Sequence, residues 1–140
     1  AMARTVHDRW AATEVALERA RAADPDGTVA WRLTDMHEAA PVVGAYDLVS
    51  ALYLHIPPKA RPAFFAGLAA AVRPGGMLVV VAHHPSDPGG RPPTPDLYFT
   101  ADEVAGYLPA GWTAIEAGTR QLHALDMVLV ARRDAQASDA

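Results

Sequence analysis

Apolar and polar positions along the chain alternate between helical and extended periods. Residues 9–23 predict a helix: Ala11, Val15, Ala16, Arg19 and Ala22 follow helical spacing behind Asp8, a suitable N-cap. Asp24-Pro25-Asp26-Gly27 then supplies turn chemistry. Thr28–Leu33 (TVAWRL) is strand-like, rich in β-branched and aromatic residues. Residues 46–54 (YDLVSALYL) form a nearly continuous apolar run and predict a strand buried on both faces, stopped by Ile56-Pro57-Pro58. Pro62 suits the first turn of a helix over 61–73, where Phe64, Phe65, Leu68 and Val72 make one apolar stripe. Arg73-Pro74-Gly75-Gly76 closes that helix, and residues 77–82 (MLVVVA) are the strongest strand in the chain.

A loop rich in proline and glycine follows over 85–96. Thr100-Ala101-Asp102-Glu103 matches a capping box, in which Thr100 and Glu103 satisfy each other's backbone N–H groups, and opens a helix over 101–108. Residues 112–117 and 126–131 predict two final strands, antiparallel because no helix separates them. Residues 132–140 form a polar, frayed tail. Strands alternating with helices imply a parallel sheet with helices on its faces.

Composition narrows the function classes. A chain of 140 residues fits one domain, 1–140, with Ala1-Met2-Ala3 resembling a cloning remnant. The absence of cysteine excludes disulfides, thiolate zinc sites and a cysteine nucleophile. A net charge of −4 argues against nucleic-acid binding. No apolar run approaches the roughly 18 residues of a membrane span and no signal peptide is visible, so a cytoplasmic protein is expected. Lysine occurs once, at Lys59, and arginine carries the remaining positive charge. Walker A, HExxH and GxSxG motifs are absent.

Two segments, YDLVSALYLHIPP at 46–58 and RPAFFAGLAAAVRPGGMLVVVAHHPSD at 61–87, resemble the central part of class I S-adenosylmethionine-dependent methyltransferases. The likeness is closest to the small-molecule and tellurite-resistance-like branch, and spans about residues 9–133 with FTADEVAGYL and the last strand pair. It implies an α/β, three-layer Rossmann-like sheet, truncated at its N-terminal side, with a C-terminal antiparallel strand pair. The departure is at the start. The family's glycine-rich cofactor turn has no match, and its second strand is absent or reduced to Arg4-Thr5-Val6. With the family's sheet order of 3-2-1-4-5-7-6, residues 28–33 lose their neighbours. Either they pair directly with residues 46–54, or a second chain supplies the edge, giving a homodimer or a complex with a partner chain.

The resemblance implies that Asp35 meets the adenine of S-adenosylmethionine, the plain alternative being a helix N-cap; Met36 and Tyr53 are the further cofactor-contact candidates, Tyr53 by its place at the carboxyl end of its strand, with a core position as its alternative. His55 and the pair His83-His84 each follow a strand, and ligands bind outside the carboxyl ends of such strands. They are therefore the catalytic candidates, suited to acid–base work near neutral pH. The alternatives are strand-end capping, simple exposure or, with Asp87, a histidine-rich metal site; no metal is assigned. Loop 85–99 brings Asp87, Arg91 and Tyr98 as substrate or lid residues, or serves only as a connector. Asp47, at the wrong end of its strand for a ligand, reads as structural, and Ser50 as packed.

Three functions follow. The first is S-adenosylmethionine-dependent methyl transfer to a small molecule, with the cofactor site incomplete in this chain. The second is a repurposed methyltransferase fold using a histidine-lined cleft for acid–base chemistry such as cyclisation or dehydration. The third is a non-catalytic remnant that binds a partner.

Overall fold

The computed structural model describes residues 7–11, 14–33, 41–87, 97–122 and 124–135, with only the backbone for 7–11. They divide into two compact units, Ala1–Ala39 and Ala40–Ala140.

The first unit contains β1 (His7–Ala11), α1 (Glu14–Ala22) and β2 (Val29–Leu33). β1 and β2 pair in parallel, with His7 opposite Val29 and Ala11 opposite Leu33. A parallel pair needs a crossover connection, and α1 lies within it. This corrects two expectations. The helix expected over 9–23 begins only at Glu14, and residues expected as its first turns form a strand. Strand pairing overrides local helical spacing here. β2 therefore has a neighbour in its own unit, and its described partner is β1 rather than residues 46–54.

Asp24 joins α1 to β2. One carboxylate oxygen accepts from the Thr28 amide at 3.0 Å and the Thr28 hydroxyl at 2.7 Å. The other accepts from the Val29 amide at 2.9 Å and the Trp31 indole at 3.2 Å. The Thr28 hydroxyl is the largest of the causes that lower the Asp24 pKa to about 2.

The second unit holds β3 (Tyr46–Leu52), α2 (Arg61–Ala71), β4 (Val72–His83), α3 (Ala101–Gly106), β5 (Trp112–Gln121) and β6 (Leu125–Arg133). The sheet order is β3-β4-β6-β5. β3 and β4 are parallel, whereas β6 runs antiparallel to both β4 and β5, as expected of the last strand pair. Period-2 alternation builds the core. Leu78, Val80 and Ala82 of β4 and Met127, Leu129 and Ala131 of β6 are buried with Phe65 and Leu68 of α2 and Val104 of α3. Met77, Val79 and Val81 point to the opposite face and are half-buried.

β3 departs from the expectation of burial on both faces. Val49 and Ala51 face the core side, while Leu48 and Leu52 remain 58% and 46% exposed and Ser50 is exposed rather than packed. Among the described residues β3 is the edge of its sheet, pairing only with β4, so its second face lacks the cover a central strand receives.

The Arg-Pro-Gly-Gly segment lies within β4 instead of preceding it. Val72 already pairs with Tyr46, and the register shifts before Leu48 meets Met77. Gly75 has φ +80°. A Cβ on Gly76 would lie 2.7 Å from both the Asp47 carbonyl oxygen and Val72 Cγ1, so this irregularity demands glycine. Arg73 forms an ion pair with Asp47, in keeping with a structural role for Asp47. Thr100 caps α3 by accepting from the Glu103 amide at 3.2 Å. The Glu103 carboxylate turns to Arg61, so the described contacts form only half of the expected box.

Candidate functional site

The carboxyl ends of β3 and β4 lie beside the start of β6, because β6 runs the other way. The ladder sets His83 opposite Asp126. His83 Nδ1 is 3.2 Å from Asp126 Oδ1, and the two side chains are 7% and 0% exposed. Tyr53 completes the cluster from the end of β3. Its amide donates to the Val81 carbonyl at 2.7 Å, its backbone adopts φ +54°, and its hydroxyl donates to Asp126 Oδ2 at 2.9 Å. The Tyr53 and His83 rings lie 4.8 Å apart at a 40° tilt. A left-handed backbone is costly for tyrosine, and it occurs where the chain leaves the strand so that the side chain reaches a buried carboxylate 73 residues away.

His84 and Asp87 form the adjoining turn. The His84 amide donates to the Leu125 carbonyl at 3.0 Å, and its Nδ1 accepts from the Ser86 amide at 3.1 Å. Asp87 Oδ1 accepts from the Leu125 amide at 3.4 Å. His55 is exposed and meets the edge of Tyr98, with ring centroids 5.7 Å apart. The structure therefore brings Tyr53 and His83 together, and separately brings His55 to Tyr98. Asp35, Met36 and Arg91 lie outside the described residues.

Two important side chains escaped sequence reasoning. Asp126 is one, although a single acid at the head of the apolar run DMVLVA was a usable signal. Arg61 is the other, and it is buried despite its charge. Its Nε donates to the Ile56 carbonyl at 2.9 Å, one terminal nitrogen donates to Glu103 at 3.2 Å, and the other donates to the Tyr98 carbonyl at 3.1 Å. Its guanidinium carbon sits 5.3 Å from the centre of the Phe99 ring. Arg61 thus ties the segment after β3, the segment before α3 and α3 itself to the start of α2, beside Tyr98. Burial, followed by the charge of Glu103, raises the pKa of neighbouring Tyr107.

Among the described residues no group of three or more acidic or histidine side chains is arranged to hold a metal. Nor does any described glycine sit at the carboxyl end of a parallel strand, where a nucleotide cofactor needs close backbone approach. Gly27 and Gly44 lie before the amino ends of β2 and β3, and the pair 75–76 lies within the amino-terminal half of β4.

No family model and no curated protein matches this chain. Solved structures do match it. An S-adenosylmethionine-dependent methyltransferase from Mesorhizobium loti is 17% identical, with 90% of this chain and 79% of that one covered at TM-score 0.67. The N-methyltransferase NodS from Bradyrhizobium japonicum is 15% identical, with 91% and 72% covered at TM-score 0.71. The [4+2]-cyclase SpnF is 15% identical, with 91% and 66% covered at TM-score 0.68. These likenesses establish the fold: an α/β arrangement of the class I S-adenosylmethionine-dependent methyltransferase type, in a chain that spans about two thirds to four fifths of those three structures. No described helix is long and apolar enough to cross a membrane.

Proposed function

We propose that this chain is a methyltransferase-like protein acting on a small molecule at the carboxyl ends of β3 and β4, with S-adenosylmethionine as cofactor and with only part of the cofactor site within the described residues. The observation that carries the reading is the sheet order β3-β4-β6-β5 with its antiparallel β6, which sets titratable side chains at the strand ends in a fold shared with methyltransferases. Ligands of open α/β sheets bind at those ends. The described glycines do not build the cofactor's backbone cradle, and the described residues contribute on the acceptor side: His55, His83 and His84 as acid–base candidates, with Asp87 and Tyr98 as substrate contacts. Calorimetric titration with S-adenosylmethionine and with its demethylated product tests the proposal. Binding of either supports it, and absence of binding to both removes cofactor-dependent transfer.

A second reading is acid–base chemistry, such as cyclisation, without methyl transfer. Two observations favour it: none of the described glycines forms such a cradle, and one matched structure is a [4+2]-cyclase. The same titration separates the readings, because the second needs no cofactor. Among the described residues the outer edge of β3 has no paired strand, and with Leu48 and Leu52 exposed it also suits pairing with a strand from a second copy or a partner chain, as it would in a non-catalytic remnant. Light scattering coupled to size exclusion tests self-pairing, and a dimer is expected.

A further inference from the structure

We propose that Arg61 is a positioning residue for the substrate side of the site: it fixes His55 against Tyr98, and so makes His55 the histidine among the three candidates that is held ready to meet a small molecule. The proposal rests on the functional reading above in taking the carboxyl end of β3 as that side. The described contacts separate the three candidates. His83 is 6% exposed and faces Asp126, and His84 is half-buried with its Nδ1 accepting from the Ser86 amide. His55 is exposed and packs on the edge of Tyr98, and among the described residues no hydrogen bond engages its ring.

Neither ring is placed by regular structure. His55 follows the end of β3, and Tyr98 precedes α3. Each lies beside a bond from Arg61. Its Nε donates to the carbonyl of Ile56, the next residue after His55, and a terminal nitrogen donates to the carbonyl of Tyr98 itself. Pro57 and Pro58 follow Ile56, and their fixed φ stiffens the segment that the first bond anchors. On the other side the guanidinium carbon lies 5.3 Å from the centre of the Phe99 ring. Phe99 is 2% exposed and packs edge-on against Phe65 of α2, so the residue after Tyr98 is seated in the core. The remaining nitrogen reaches both Glu103 oxygens, at 3.2 and 3.3 Å. Three nitrogens of one planar group thus hold three segments at once. A lysine ammonium carries all its donors on a single nitrogen and cannot span them. Arg61 therefore sets the spacing of the two segments from behind, and the 5.7 Å, near-perpendicular approach of the His55 and Tyr98 rings is its outcome at the surface.

The test is proton NMR of the full chain, reading the through-space contact between the His55 and Tyr98 rings, with Arg61→Lys and Glu103→Gln as variants and circular dichroism as the check on folding. The contact is expected in the wild-type chain, lost in Arg61→Lys and kept in Glu103→Gln, which spares both carbonyl bonds. A residue that only stabilised its unit would lower resistance to urea in both variants and leave the ring contact in both. Diethyl pyrocarbonate, which acylates accessible imidazoles, gives a second measurement: with the sites located by peptide mass spectrometry, His55 is expected to react before His83 and His84. The proposal is overturned by a wild-type chain without the ring contact, by a folded Arg61→Lys that keeps it, by a folded Glu103→Gln that loses it, or by His83 or His84 reacting ahead of His55. The first and last of these need no variant to fold. None of the measurements uses S-adenosylmethionine, so a failed cofactor titration and a failed role for Arg61 are separately recognised.

Discussion

Asp24 in the first unit and Asp126 in the second are both carboxylates with both oxygens engaged, and they differ in where their donors come from. The donors to Asp24 lie four to seven residues away, and they are two amides, a hydroxyl and an indole. None of these titrates near neutral pH, and the cluster fastens α1 to β2. The partners of Asp126 lie 43 and 73 residues away, and they are an imidazole and a phenol. Only folding brings them together, and both can give or take protons. Arg61 sharpens the comparison. Its partners on Tyr98 and Glu103 are also distant, 37 and 42 residues along the chain, yet a guanidinium does not titrate. Distance along the chain therefore does not mark a reactive cluster; the proton chemistry of the partners does.

The largest test of that distinction is Arg61→Met. It removes four described hydrogen bonds and the contact over Phe99, leaving the Glu103 carboxylate and two backbone carbonyls to find other partners. Removing one side of a buried ion pair costs about 3–5 kcal/mol, but the Glu103 side chain is 36% exposed and can rehydrate. A loss of roughly 3 kcal/mol in urea denaturation is expected. A loss below about 0.5 kcal/mol, within the range of ordinary surface changes, would show that this cluster does not hold the second unit together.

Tyr53→Phe follows in size. It keeps the ring against His83 and the left-handed backbone, but deletes one donor from a fully buried carboxylate. The expected destabilisation is about 1–2 kcal/mol, the range for weakening a buried polar group's hydrogen bonding. Tyr53→Gly provides the complement. Glycine adopts φ +54° freely, so part of the loss from the missing side chain is offset by about 1 kcal/mol of relieved backbone cost. If Phe and wild type denature at the same urea concentration, the hydroxyl does not help fix Asp126.

What was legible in the sequence divides along the same line. Local signals were readable: Pro62 at the head of α2, Thr100 as the cap of α3, and the apolar period of β4 and β6. The strand character of residues 7–11 was hidden, because a five-residue stretch acquires it by pairing with β2 across an intervening helix. The exposure of Leu48 was hidden for a related reason, since an apolar run does not state whether its strand will be central or at an edge. His83 and Tyr53 were recognisable as strand-end residues, whereas Asp126 became part of their site through the antiparallel register of β6 on β4, a pairing that no local pattern specifies.

The smallest effect tests the other half of the comparison. The Asp24 carboxyl is held at about 2 against an ordinary value of 3.8, first by the Thr28 hydroxyl and then by the Val29 and Thr28 amides. The unfolded chain therefore takes up this proton at a higher pH than the folded one. Its stabilising contribution is complete above about pH 4, declines as pH falls below 3.8, and is gone below about 2. Because the main donors are neutral, added salt should leave this window in place, unlike that of an ion pair. The Trp31 indole N–H, which donates to Asp24, supplies the readout. Its proton resonance should shift with a midpoint near pH 2 in the folded chain and lose that shift in Asp24→Asn. A midpoint near 3.8 would mean that the four local donors do not hold the ionised form, and the contrast with Asp126 would then rest on the titratable partners alone.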